Sequence, residues 1–231
     1  MKKYLKPALR WTLYLALIFL GSSVFFVLLY AIVNAPITPL MLIRSVQQLT
    51  DGEKMSIRKE WVPIDEISPS LQLAVVASED NLFLEHNGFD FKAIEKARDY
   101  NEEKQGKKVR GASTISQQTT KNVFLWPQRS WVRKGLEVWF TVLIELVWSK
   151  KRIMEVYLNV IEMGKGIYGA ETASKTFFGK PASRLRPGEA ALIAAILPNP
   201  QKWNPSRPTP YLLGRQQRIL WNMGNIGKIE Y

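Results

Sequence analysis

The chain contains one uninterrupted apolar segment that is long enough to cross a lipid bilayer. Residues 11–33 carry no charged side chain, and a helix of that length, at about 1.5 Å per residue, spans the roughly 30 Å hydrocarbon layer. We therefore predict a transmembrane helix at residues 11–33. A cleaved signal peptide is the alternative, because Val33, Asn34 and Ala35 resemble a peptidase site. The length of the segment and Pro36 directly after that site favour a retained anchor.

Charges on either side of this segment predict its orientation. Four cations precede it: Lys2, Lys3, Lys6 and Arg10. The first acid in the chain is Asp51. Because the cytoplasmic flanks of membrane helices are enriched in Lys and Arg, we expect residues 1–10 inside and the rest of the chain outside. There we predict a junction at residues 34–50, where two prolines interrupt the helix, and one domain at residues 51–231.

Composition limits the chemistry that the domain can perform. The chain has no cysteine and one histidine, which excludes disulfides, thiolate catalysis and metal sites built from cysteine or several histidines. Carboxylates, hydroxyls, amides and cations must therefore suffice. The net charge of +12 indicates an anionic partner. Nucleic acid is not expected outside the membrane, whereas anionic membrane lipid or a phosphorylated, lipid-linked substrate fits that location.

Apolar residues at three- and four-residue spacing predict a mainly α-helical domain. The predicted helices cover residues 69–79, 90–103, 113–123, 131–148, 150–160, 168–177 and 187–197. The expected caps are Ser68, Asp90, Ser130 and Ser149 at N-termini and Gly179 at a C-terminus. Alternation around residues 56–62 is the only strand signal, and it predicts a short hairpin.

Two segments are predicted to be irregular. Residues 102–110 are dense in charge and are interpreted as a solvated, mobile loop. Several prolines between residues 198 and 210 predict an irregular stretch near the end of the chain.

Glu79 and Asp80 are the first candidates for chemistry, because they close the predicted helix at residues 69–79. The negative end of a helix dipole opposes ionisation of a carboxyl, which favours its use as a general base. The motif continues with Phe83, His86, Gly88 and Asp90. The alternative is a surface charge at the end of a core helix, with His86 as a packing residue.

A second block opens the predicted helix at residues 113–123. Its donors are Ser113, Thr114, Gln117, Gln118 and Lys121. Free backbone amides at a helix start, beside hydroxyls and a lysine, suit an anion such as phosphate. An ordinary capped surface helix is the alternative.

A third block contains Arg129, Arg133 and Glu137. The two guanidinium groups can make bidentate phosphate contacts, and Glu137 adds a second carboxylate. Because Arg133 and Glu137 are four residues apart, a surface ion pair is the alternative.

In this order the blocks resemble the peptidoglycan glycosyltransferases, which occur alone or fused to penicillin-binding transpeptidase domains. The matching segments are residues 79–90, 111–118, 133–137, 149–159, 169–170 and 189–198. The resemblance covers about residues 60 to 220. Ala112 and Ser116 stand where the family usually has glycine and threonine. Because 231 residues leave no room for a fused transpeptidase domain, we expect the stand-alone form.

The resemblance implies a lysozyme-like helical fold in the bacterial inner membrane, with the domain on the periplasmic side. The implied substrates are lipid II and a nascent glycan strand on undecaprenyl diphosphate, joined by inverting β-1,4 transfer. No cofactor is obligatory, although Mg or Mn is a candidate. Cell-division or elongation proteins are candidate partners.

The resemblance also implies roles for the candidate residues. Glu79 would be the base, while Lys121 and Arg129 would hold the diphosphate, with Arg133 nearby. Glu137 would orient these cations, support a metal or assist departure of the leaving group. The residues implied for binding the donor are Ser113, Thr114, Gln117 and Gln118. Those implied as supports are Asp80, His86 and Asn159.

Two other functions remain open from the sequence. A lysozyme-like hydrolase or lytic transglycosylase would cut the same polymer, but the three cations favour a diphosphate substrate and hence synthesis. A non-catalytic, membrane-anchored scaffold for cell-wall assembly would be expected to lack Glu79 or the cations, and all of them are present.

Overall fold

The computed structural model describes residues 2–105 and 111–231, with side chains from Leu9 onward. Within these residues the chain forms ten α-helices and three short strands. The helices are α1 (Lys2–Ile32), α2 (Pro39–Thr50), α3 (Pro69–Glu79), α4 (Phe91–Glu103), α5 (Ile115–Phe124), α6 (Trp131–Val147), α7 (Lys150–Val160), α8 (Ala170–Phe178), α9 (Pro187–Ile196) and α10 (Pro210–Ile226). The strands are β1 (Arg58–Lys59), β2 (Glu162–Gly164) and β3 (Ile167–Tyr168). The prediction of a mainly α-helical domain is confirmed.

Helix α1 contains the predicted membrane segment. Leu9–Ile32 has a mean hydropathy of 2.5 and, among the described helices, is the one long and apolar enough to cross a bilayer. Its second half packs against α6. There Trp139 Nε1 donates to Ser23 Oγ at 3.1 Å, and Trp148 Nε1 donates to the carbonyl of Val27 at 2.8 Å. The candidate membrane helix is therefore docked on the domain by specific contacts.

Two cations tie the end of α1 to the domain. Arg152 donates to the carbonyl of Tyr30 at 3.0 Å and to that of Val33 at 2.9 Å. Lys59 donates to the carbonyl of Pro36 at 3.1 Å. The last carbonyls of a helix have no intrahelical donor, so Arg152 satisfies one of them at Tyr30. The bonds to Val33 and Pro36 fix the chain where it leaves α1.

Helices α3 to α9 lie where the apolar spacing predicts them, with ends that differ by at most two residues. The side chains of the four expected N-caps each accept a backbone N–H, and Gly179 has a left-handed φ of 66°. Helix α4 ends at Glu103. Residues 106–110 of the predicted loop lie outside the described residues, so that interpretation stays a prediction.

Helices α2 and α10 are absent from the predicted set. Each begins with a threonine N-cap followed by proline, at Thr38-Pro39 and Thr209-Pro210. Proline is favoured at the first helical position, because an N–H there has no intrahelical partner to lose. The prediction that these prolines mark an interruption and an irregular stretch is therefore wrong, because each one starts a helix.

The strands form one small sheet in the order β1-β3-β2. Strand β1 lies within the predicted residues 56–62 but has only two residues, and it pairs with β3 in parallel. The predicted hairpin occurs elsewhere, between the antiparallel strands β2 and β3.

Helices α3, α9 and α10 form a closely packed apolar layer. Residues 190–196 of α9 are all buried, and four of them are alanine. Small side chains let neighbouring helices approach closely. This layer supports α3, which carries Glu79 at its end.

Candidate active site

Glu79 is the last residue of α3 and is half-buried. Its carboxylate accepts hydrogen bonds from Ser78 Oγ at 3.1 Å and from Gln118 Nε2 at 3.0 Å. Gln118 lies on α5, so the first and second sequence blocks meet at this carboxylate. Two donors order the group while leaving further lone pairs free to accept a proton.

Asp80 and His86 hold α5 against the end of α3. One Asp80 oxygen pairs with His86 Nε2, and the other accepts the backbone N–H of Ile115, each at 2.9 Å. His86 Nδ1 accepts the N–H of Gly88 at 3.1 Å, so the ring proton lies on Nε2 and is donated to Asp80. Ile115 begins α5, where a backbone N–H lacks an intrahelical partner. A supporting role for both residues in the reaction stays a prediction.

Thr114 and Gln117 form a capping box at the start of α5. Thr114 Oγ1 accepts the N–H of Gln117 and donates to the carbonyl of Gly88 at 2.7 Å. Gln117 Oε1 accepts the N–H of Thr114 at 3.0 Å. Because these atoms are engaged in the fold, the Nε2 group of Gln117 is the donor left for a substrate.

Lys121 lies between the two candidate glutamates. Its ammonium makes no hydrogen bond or ion pair with the described part of the chain. Burial lowers the pKa of Lys121, while Glu137 and Glu79 raise it and Arg133 lowers it further. A cation held among carboxylates but bonded to none of them is ready to bind an anion from outside.

Glu137 is almost completely buried on α6 and gathers two cations. Arg133 donates to one of its oxygens at 2.7 Å, and Lys134 donates to the other. Arg133 is also buried, and its Nε has no hydrogen-bond partner in the described residues. The predicted pair is therefore a buried ion pair rather than a surface one. Together Glu79, Gln118, Lys121 and Glu137 form what we call the carboxylate–lysine cluster.

Arg129 and Ser113 lie beside this cluster, at an open cleft of about 1040 Å³. The cleft lies between α4 and the first turns of α5 and α6, and Gln117 and Lys134 also line it. Arg129 and Ser113 are both exposed. The predicted binding residues thus lie at two neighbouring places, the cleft and the carboxylate–lysine cluster. Gln117 and Lys134 connect the two.

Asn159 lies away from these residues, fully buried on α7. Its side chain accepts the N–H of Val62 at 3.0 Å and donates to the carbonyls of Val62 and Glu155. These bonds fix the segment that follows β1, and any support of the site by Asn159 acts through that segment.

Tyr157 is a site residue that the sequence analysis does not select. It is fully buried on α7, and its hydroxyl lies 3.1 Å from Gln118 Oε1. The signal was available, because Tyr157 lies within the fourth matching segment. Spacing alone does not show that this face of α7 reaches Gln118.

The described carboxylates do not fit a metal held by the protein. In residues 2–105 and 111–231 no group of three or more His, Asp or Glu side chains could coordinate an ion. Both oxygens of Glu137 already accept hydrogen bonds from cations. A requirement for Mg or Mn stays a prediction.

Comparison with known proteins gives consistent matches. A family model described as Transglycosylase matches residues 45–224. The biosynthetic peptidoglycan transglycosylase of Bdellovibrio bacteriovorus is 58% identical over 211 residues, which are 91% of this chain and 84% of that protein. The proteins of the same name from Bacteroides thetaiotaomicron and Chromohalobacter salexigens are 57% and 48% identical. These two matches cover 97% and 100% of this chain, and 90% and 97% of the relatives.

Proposed function

Because the chain belongs to the transglycosylase family and is a peptidoglycan glycosyltransferase that polymerises glycan strands, we propose that Glu79 is its single general base. The base removes the proton from the 4-hydroxyl of lipid II as that oxygen attacks the anomeric carbon of the donor strand. A β-1,4 bond forms, the bond from the anomeric carbon to the diphosphate breaks, and undecaprenyl diphosphate leaves. One inversion converts the α-linked donor into the β-linked product.

The unpaired ammonium of Lys121 is the observation that carries this proposal. A diphosphate leaves with its negative charge, so this step needs fixed cations more than a proton donor. Lys121 lies close enough to Glu79 for the carboxylate to raise its pKa. The anion and the attacking hydroxyl would therefore be held side by side. Arg129, at the neighbouring cleft, would bind the outer phosphate.

We assign Glu137 to orientation of the cations. Its two oxygens are bonded to Arg133 and Lys134, and removing one partner from a buried ion pair leaves an uncompensated charge. Glu137 therefore keeps the guanidinium of Arg133 close to Lys121, where both can attract the leaving diphosphate.

We further propose that α1 anchors the protein in the inner membrane, with its N-terminus in the cytoplasm and the domain in the periplasm. The cations before α1 support this orientation. On α6, which packs beside α1, three exposed apolar residues follow one another at four-residue spacing: Val138, Val142 and Leu146. Such a stripe suits contact with lipid. Tethering to the membrane also raises the local concentration of lipid-linked substrates.

The first prediction tests Glu79. We expect Glu79→Gln to lower lipid II polymerisation by at least about 100-fold, because proton transfer in the transition state contributes about 10²- to 10⁴-fold. Binding of lipid II should change little. Glu85→Gln is the matched control, since Glu85 is exposed six residues further along, and it should keep normal turnover.

Polymerisation at a near-normal rate by Glu79→Gln would rule out this base. Incubation with finished glycan separates synthesis from cleavage, because a lytic enzyme would consume the polymer and leave lipid II intact.

A further inference from the structure

We infer that Tyr157 is a positioning residue that keeps the amide of Gln118 turned with its NH₂ group toward Glu79. The inference rests on the proposed role of Glu79 as the base. Tyr157 donates to Gln118 Oε1 at 3.1 Å, and Gln118 Nε2 donates to Glu79 at 3.0 Å. This relay joins α7, α5 and α3, and its first member is fully buried.

The chemistry of its two ends fixes the direction of donation in the relay. An ionised carboxylate can only accept, so Gln118 must turn Nε2 toward Glu79 and Oε1 toward Tyr157. The hydroxyl of Tyr157 must then donate. Burial, reinforced by the charges of Glu79 and Asp80, raises the pKa of Tyr157 well above its usual value. The donated proton is therefore present across the working pH range.

The amide of Gln118 has a second orientation that would harm the base. Turned by half a rotation, it would place Oε1 against the carboxylate of Glu79 and leave the proton of Tyr157 without an acceptor. The charge of Glu79 already disfavours this orientation, and the hydroxyl disfavours it further, because unsatisfied groups in buried surroundings are costly. Glu79 then keeps the donor that stabilises its ionised form, which is the form that accepts the proton of lipid II.

The other charges around Glu79 are unaffected by removal of the hydroxyl of Tyr157. They are Asp80 directly after α3, Lys121 on α5 and, beyond Lys121, the α6 residues Arg133, Lys134 and Glu137. A change in the pH dependence of a Tyr157→Phe variant would therefore report on the relay.

Tyr168 provides a matched control. It is also fully buried, and its hydroxyl has no hydrogen-bond partner in the described residues. It lies on β3, outside the carboxylate–lysine cluster. The charged groups that act on the pKa of its hydroxyl are Glu162 and Arg44. Tyr168→Phe removes the same atom from an equally buried ring without touching the relay.

The test compares Tyr157→Phe with Tyr168→Phe in lipid II polymerisation across a pH series. For Tyr157→Phe we expect kcat to fall about 3- to 10-fold, the range for losing a hydrogen bond between neutral groups, with KM within about twofold. The acidic limb of its kcat/KM profile should move to higher pH, because Gln118, no longer held by Tyr157, donates less consistently to Glu79, and a carboxylate with a weaker donor is protonated more readily. Tyr168→Phe should show neither change, and both variants should keep the melting temperature within a few degrees.

A double variant separates positioning from packing. In a Gln118→Ala background the relay is already cut, so Tyr157→Phe should lower kcat by less than about twofold further. The inference is overturned if Tyr157→Phe has the same effect with and without Gln118, or behaves like Tyr168→Phe. Either result leaves the base assignment intact, because that assignment depends on the separate Glu79→Gln experiment.

Discussion

Helices α5 and α9 have ten residues each and are both largely buried, but α5 buries mostly polar side chains and α9 only apolar ones. In α9 the buried residues are alanine, leucine and isoleucine. In α5 most of them are serine, threonine, glutamine and asparagine. Apolar burial contributes stability without needing partners, whereas each buried polar group must be hydrogen-bonded. The buried polar side chains therefore favour α5 over α9 as the helix that contributes to function.

The polar side chains of α5 other than Lys121 are hydrogen-bonded within the protein, three to the helix itself and three to groups outside it. The side chains of Thr119, Thr120 and Asn122 each donate, at 2.8 to 2.9 Å, to a carbonyl three or four residues earlier. The exception is Lys121, whose ammonium has no such bond within the described residues. In a helix whose other polar side chains are hydrogen-bonded within the protein, the unpaired group marks the place of the substrate.

The strongest test of this comparison is Lys121→Met. We expect kcat/KM to fall about 10²- to 10³-fold, the usual loss when one stabilising donor is removed from an active site. The melting temperature should stay equal or rise, because a desolvated ammonium without a partner is replaced by an apolar side chain. Lys202→Met, at an exposed position, should change neither quantity.

The reciprocal test is Ile193→Ala in the centre of α9, where Ile193 is fully buried. We expect a loss of about 2 to 5 kcal/mol in the free energy of unfolding, from lost apolar burial and a new cavity. At temperatures where the variant is folded, kcat/KM should remain within about twofold of the parent. A loss of activity without a loss of stability would show that α9 is also part of the catalytic machinery.

The smallest expected effect is a pH dependence of stability that α5 contributes through Lys121 between pH 7 and pH 10. Burial lowers the pKa of Lys121 in the folded protein below its usual value of 10.5, so the unfolded chain binds more protons between these two values. The free energy of unfolding contributed by this group therefore rises with pH across that window. The stability difference between Lys121→Met and the parent should shrink from pH 7 to pH 10, as measured by chemical denaturation. A constant difference would contradict the lowered pKa.

The fold could be predicted from the sequence wherever helix starts were recognisable. Ser68-Pro69 correctly marks the start of α3, because serine is a common N-cap and proline suits the first turn. Thr38-Pro39 and Thr209-Pro210 carry the same signal, yet several nearby prolines suggest irregular chain. Local spacing cannot predict the pairing of β1 with β3, because more than 100 residues separate them.

Candidate site residues could be selected from the sequence, but the contacts between them could not. Glu79 and Lys121 were identifiable from their residue types and order along the chain. The contact of Tyr157 with Gln118 depends on how α7 packs across α5. The division of the binding residues between the cleft and the cluster likewise depends on how the helices pack. Helical periodicity does not determine packing angles.

The attachment of α1 to the domain has a consequence for the direction of synthesis. Because α1 packs along α6, and Arg152 and Lys59 donate to carbonyls at its end and just beyond it, several contacts hold the helix and the domain in one arrangement. The fold thereby sets the distance and direction from α1 to Glu79. With α1 in a bilayer, as proposed above, contacts that orient this helix would also orient the site from which a new strand leaves.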